Sequence, residues 1–287
     1  MPEPLVASLL DPLSGDFGLL SALEMLVVGG SCGAVGVWVV TFGRAFLAES
    51  FTHALLPGLV LAALAGASLL AGALAGVVLA FVVALSASKA PRTTPSTATS
   101  LTVTLLVGGG ALLATTGDSS IALENLLFGD PLAASEADIA IGLTLAAVIA
   151  TALWLLHGSF TATAFDRGAA TALGIRVGRV ETALLGLLVV AVVVSANIAG
   201  SLLALALVTG PAVGAVSVCS RIGHAVALAT IAGAACGVGG IFLSYYADWP
   251  ASASIALLAS FAAPIIGLAA ALGRRLGRPL RHAVAQD

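Results

Sequence analysis

Residues 179–221 read RVETALLGLLVVAVVVSANIAGSLLALALVTGPAVGAVSVCSR. Two apolar runs, Val180–Asn197 and Ala199–Val218, lie between arginines, and the chain between them is broken near Asn197, Gly200 and Ser201. Each run approaches the roughly 20 residues that a helix needs to cross a hydrocarbon core about 30 Å thick. A chain that leaves Arg179 and comes back to Arg221 through both has crossed a membrane and returned.

The same reading extends outward. All eleven basic side chains (Arg44, Lys89, Arg92, Arg167, Arg176, Arg179, Arg221, Arg274, Arg275, Arg278 and Arg281) can be placed on one side. Basic residues accumulate in short cytoplasmic loops, so that side is the cytoplasm. The chain is 60% hydrophobic and 9% charged, with mean hydropathy +1.13. A soluble domain would carry about 25% charge. The expected class is therefore an all-α polytopic transmembrane bundle forming a single domain over residues 1–287.

The expected spans are Leu19–Phe42, Phe51–Leu70, Ala71–Ser88, Leu101–Thr116, Ile139–Leu156, Val180–Asn197, Ala199–Val218, Ala225–Tyr245 and Ser252–Leu272. Nine crossings put the N-terminus outside and the C-terminus in the cytoplasm. The turns at Gly66–Gly76 and Ala196–Gly200 can instead belong to broken or re-entrant helices, which lowers the count to eight or seven. Pro91–Ser100 reads as a loop. The segment 117–138 carries Asp118, Glu124, Asp130, Glu136 and Asp138 without a basic residue and belongs outside; it is a solvated loop or a cation-attracting mouth.

Met1–Asp16 holds three acids and no Lys or Arg, so a positively charged signal-peptide start is missing and insertion is expected through the first span. Cys32, Cys219 and Cys236 lie in or at the ends of apolar blocks without CxxC spacing and read as small hydrophobes. Tyr245, Tyr246 and Trp249 suit an interfacial aromatic belt in contact with membrane lipid. His157, His224 and His282 read as surface residues.

Candidate chemistry is sparse. Glu49 and His53 stand four apart and share a helix face, so they can hold a divalent cation; imidazole suits zinc and other transition metals. They equally suit a helix start at the cytoplasmic surface. Asn197, Ser201 and Thr209 interrupt an apolar core, and polar side chains in a bilayer face the bundle interior or a pathway. Unwinding at Gly210–Pro211 would expose carbonyls to an ion, whereas a Pro-kinked packing helix would not. Glu24 is a further weak candidate near the outer end of the first span. Between Phe160 and Arg179, Asp166–Gly174 can form a short amphipathic helix on the inner surface, a docking element or a plain interfacial helix.

No GxxxxGK[ST] phosphate loop occurs, and no HExxH site, nucleophile elbow or CxxC pair supports an enzyme, so an enzyme or a self-contained ATPase is not expected. Outside the C-terminal tail no basic patch is dense enough for nucleic acid.

Four stretches carry a resemblance: Glu49–Gly58, Leu126–Asp130, Phe165–Gly174 and Gly240–Pro250. In that order they resemble the membrane-spanning permease subunit of bacterial zinc/manganese/iron ABC transporters, over about Leu19 to Leu272. The resemblance implies a homodimer in the cytoplasmic (inner) membrane whose two copies line a path for a divalent metal ion. It implies a separate ABC ATPase that uses ATP, and an extracellular or periplasmic metal-binding protein. It assigns ATPase coupling to Phe165, Asp166, Arg167, Gly168, Leu173 and Gly174, within a cytoplasmic segment near 158–179. The family usually carries Ser where Thr52 stands, and often an acid where Gly168 stands. Two other classes stay open: a secondary metal or small-solute transporter, and a non-transporting membrane scaffold. The secondary transporter would need an acid or base inside a span, and none is evident in the middle of one.

The charge map predicts that cysteines placed at Asn125 and Gly168, in a chain lacking its three native cysteines, are modified from opposite sides of sealed vesicles. Modification of both from one side would contradict the nine-crossing topology.

Overall fold

A computed structural model describes residues 16–88, 95–115, 131–132 and 135–276. Ten helices run through them: α1 (Asp16–Thr41), α2 (Ala45–Ala65), α3 (Leu69–Ser88), α4 (Pro95–Thr115), α5 (Glu136–Phe165), α6 (Arg167–Ala172), α7 (Val177–Ala199), α8 (Ser201–Val218), α9 (Ile222–Ala247) and α10 (Ala251–Leu276). Five of them, α1, α2, α5, α9 and α10, contain stretches long and apolar enough to cross a membrane. The chain is an all-α, multi-pass membrane bundle. Lys89, Arg92, Asp118, Glu124, the stretch Leu126–Asp130, Arg278, Arg281 and His282 lie outside the described residues.

These helices are apolar nearly all round, so water plays no part in choosing which face packs. Small residues choose it. On α1 and α9, Met25 lies against Gly237, Gly29 against Gly233, and Gly33 against Ala229. The two numberings run in opposite directions, four residues at a step, so the helices are antiparallel and their backbones touch. A Cβ on Gly29 or Gly33 would strike the opposing carbonyl. Gly58 meets Gly72 and Gly76 meets Ala54, which makes α2 and α3 antiparallel too. On α8 and α10, Gly210 meets Ala259 and Gly214 meets Ala263, so these two are parallel. Large side chains that find no such partner, such as Trp154, Leu155, Leu112 and Leu268, point outward.

Two local expectations change, and a third point left open is decided. First, α5 does not stop at Leu156 but continues to Phe165. Phe160 is fully buried against Trp38 and Phe42, with ring centroids 5.1 and 6.0 Å apart, and this aromatic contact rewards the extra turns. His157 joins the cluster edge-on to Trp38 at 5.5 Å, so it is a packing residue as well as a surface one. Second, α4 begins at Pro95 rather than Leu101, since proline's fixed φ and missing N–H suit the start of a helix. Third, α8 runs unbroken through Gly210 and Pro211. Gly210 is held against the Ala259 carbonyl of α10, and the Thr209 hydroxyl donates to Leu205 O at 2.8 Å, so the helix is braced rather than unwound.

The break falls ten residues earlier. Gly200, at φ 90° and ψ 156°, separates α7 from α8 in a conformation that glycine adopts readily and side-chain-bearing residues do not.

Gly33→Ala places a methyl group into the Ala229 carbonyl, where backbone cannot give way. It should cost at least the roughly 1–3 kcal/mol of ordinary overpacking. Gly186, with nothing near its Cβ position, should accept Ala without loss. Thermal unfolding of the two variants in detergent checks the contrast.

Candidate functional site

Two separate places hold the residues that the sequence singled out. The first is α2. Glu49 and His53 lie one turn apart, half-buried, on a helix otherwise packed by Phe51, Ala54, Leu55 and Leu59. The hydroxyls beside them are turned to their own helix: Thr52 donates to Glu49 O at 2.7 Å and Ser50 to Phe46 O at 3.2 Å. The carboxylate and the imidazole are therefore the groups on this stretch left to face a cation. No cluster of three or more His, Cys, Asp or Glu occurs among the described residues. Two donors of mixed hardness would hold an ion only loosely and would not by themselves select one transition metal.

Asn197 and Ser201 sit on either side of the Gly200 break, at the end of α7 and the start of α8. Thr209 is two turns further along α8, with its hydroxyl engaged as described.

Glu24 is the residue that the sequence undervalued. It is 1% exposed, about 12 Å inside the start of α1 at 1.5 Å per residue, and neither carboxylate oxygen has a hydrogen-bond partner. It stands near the end of the span, as expected from the sequence, but it is buried there. The signal was present in the sequence, since Glu24 is the lone charge in a long apolar block; its depth was not.

A crevice of about 540 Å³ opens between α1, α5 and α9. Its walls are mostly apolar side chains with His157 among them, and its Ser31 and Thr230 hydroxyls are both committed to their own helices at 2.7 and 2.8 Å.

The second place is α6. Asp166 caps it, with Oδ1 accepting from the Gly168 and Ala169 amides at 2.7 and 3.0 Å. Gly174 ends the turn at φ 82°, where a side chain would be strained. Ala170 is buried beneath, and the Ile175 amide closes onto its carbonyl at 3.0 Å. Phe165 and Leu173, flanking the short helix, are 92% and 76% exposed. A rigid, capped turn thus carries two large apolar side chains outward beside Arg167, a surface built to be covered. The sequence missed Glu181, on the second turn of α7. Its carboxylate pairs with Arg167, and lies 3.5 Å from Arg44 in the α1–α2 turn. The available signal was an acid on the otherwise basic side of the charge map.

A bundle of apolar helices with a capped, partner-ready helix on its basic side defines a multi-pass membrane permease. The chain matches the ABC 3 transport family over residues 16–270, and it belongs to that family as a permease subunit. It is similar to the manganese transport system membrane protein MntC of Halalkalibacterium halodurans, 29% identical over 236 residues, 82% of this chain and 81% of that protein. It is also similar to a probable iron transport system membrane protein of Haemophilus influenzae, 26% identical over 250 residues, 87% and 92% of the two chains. The structure of PsaBC from Streptococcus pneumoniae in complex with Fab is similar at a TM-score of 0.82 and 27% identity, covering 91% of this chain and 95% of that one.

Replacing Asp166 by Ala removes the α6 cap and should cost about 1 kcal/mol, whereas Asn at the same position should retain most of it. Amide hydrogen exchange at Gly168 and Ala169 reads the difference.

Proposed function

We propose that this chain is the membrane-spanning subunit of an ATP-driven importer of divalent transition-metal ions, zinc, manganese or iron. The observation that carries the reading is the family match across α1 to α10 together with α6, whose Phe165, Asp166, Arg167, Gly168, Leu173 and Gly174 form the surface on which a separate ABC ATPase docks. Relatives named for manganese and for iron support a transition-metal cargo.

Two copies of the chain line the path, and an extracellular or periplasmic protein delivers the ion. Nine crossings place the N-terminus outside and α6 in the cytoplasm. The antiparallel pairs α1–α9 and α2–α3 and the parallel pair α8–α10 are the directions that strict alternation requires. ATP binding and hydrolysis in the partner shift α6, and the helices switch between outward and inward openings. In this cycle Glu49 and His53 contact the ion in transit, and Asn197, Ser201 and Thr209 border the path near the α7–α8 joint. Capture belongs to the delivery protein, so a two-donor contact suffices and releases its ion readily.

The buried Glu24 favours a second reading, a secondary transporter in which this carboxyl carries a coupling ion. One experiment separates the two. The chain is reconstituted in liposomes with and without its ATPase, and uptake of manganese and zinc is followed. ATP-dependent uptake is expected, falling by about 1.4 kcal/mol or more in rate terms, at least tenfold, in His53→Ala and Glu49→Gln, with the ATPase still co-purifying. Uptake that persists without the ATPase and is lost in Glu24→Gln would establish the second reading instead.

A further inference from the structure

The ion pairs at Glu181 join three parts of the chain that are remote in sequence. Arg44 occupies the turn between α1 and α2, Arg167 opens α6, and Glu181 stands on α7. The Glu181 side chain is 24% exposed, against 36% for Arg44 and 58% for Arg167. Its Oε1, the atom both guanidinium groups approach, is itself shielded from solvent. It accepts no hydrogen bond, so the contact is an ion pair, one for which water competes poorly because the oxygen is covered.

What lies around the contact gives it a mechanical meaning. A cavity of about 580 Å³ separates the α1–α2 turn from the α5–α6 joint, lined by Thr41, Phe42, Arg44, Thr163, Phe165 and Arg167. Side chains do not fill this space, so α6 and α2 are not packed directly against each other across it. Glu181, on α7, pairs with an arginine on each side of it. On the far side, Arg44 is built into the start of α2: its carbonyl accepts from the Leu47 and Ala48 amides at 3.0 and 3.1 Å. From Arg44, α2 runs rigidly to Glu49 and His53, nine residues or about 13 Å further on.

We infer that Glu181 is a positioning residue that ties α6 to the cytoplasmic start of α2, so that a displacement of α6 moves the helix bearing Glu49 and His53. The inference rests on the importer reading for its role in coupling, but the tie itself is a property of the chain alone. Arg167 transmits through Glu181 to Arg44, and the one shared carboxylate keeps both arginines in step.

Two measurements test it. In the full chain in detergent, Arg167→Ala should raise amide exchange at Leu47 and Ala48 about threefold or more, although no Arg167 contact is made to α2 in the ion-pair network. An effect confined to 167–172 would overturn the tie. In liposomes with the partner ATPase, Glu181→Gln should lower the metal moved per ATP hydrolysed by about fivefold or more, the low end of a coupling between two sites, while Glu181→Asp keeps more than half. A merely structural defect would lower uptake and hydrolysis together and leave their ratio unchanged, and an unchanged ratio would overturn the coupling role. If the unmodified complex shows no ATP-dependent uptake, the importer reading fails instead, and the exchange measurement then decides the tie by itself.

Discussion

Backbone-to-backbone contact between α1 and α9 is the constraint on which the rest of the bundle depends. In a lipid solvent apolar area drives no particular pairing, so close approach and van der Waals contact must do it. Gly29 and Gly33 on one helix, and Gly233 and Gly237 on the other, remove the side chains that would hold the axes apart. Once α1 is seated on α9, its other faces are placed as well. Gly36 meets the Val208 carbonyl of α8, Cys32 lies beside Ala191 of α7, and Trp38 is enclosed with Phe160 of α5. The same device repeats at α2–α3 and α8–α10. The bundle is therefore assembled from a few rigid small-residue seams, with larger side chains left for lipid.

That arrangement concentrates adaptability at the end that carries Arg44, Arg167 and Glu181. There the seams give way to turns, a six-residue helix and a cavity, and the contacts change from backbone packing to charge. A packed seam resists displacement, whereas a carboxylate shared by two guanidinium groups can shift and keep its partners. Under the proposed function this is the end on which an external motor acts. The outer half is different in kind. Glu24 is locked in the interior without a hydrogen-bonding partner, a costly placement that a purely structural helix would not need.

Much of this was legible before any coordinates. The helix series followed from apolar run length and from the polar breaks between runs. The short helix at Asp166–Gly174 was legible because Asp and Gly have specific uses at helix starts and stops. The ends of α4 and α5 were less so, since they depend on Pro95 as a first helical residue and on Phe160 reaching Trp38. The Gly210–Pro211 pair left two readings open, and packing chose between them. Its glycine serves a neighbouring helix and leaves its own helix intact.

Sequence by itself determined the solvent and the family, because these depend on composition and on motif order along the chain. Tertiary structure alone decided that Glu24 is buried and that Glu181 gathers Arg44 and Arg167. Burial and pairing depend on which faces meet, and in a chain apolar all round the hydrophobic pattern does not say which faces those are. Only the packed glycine seams do.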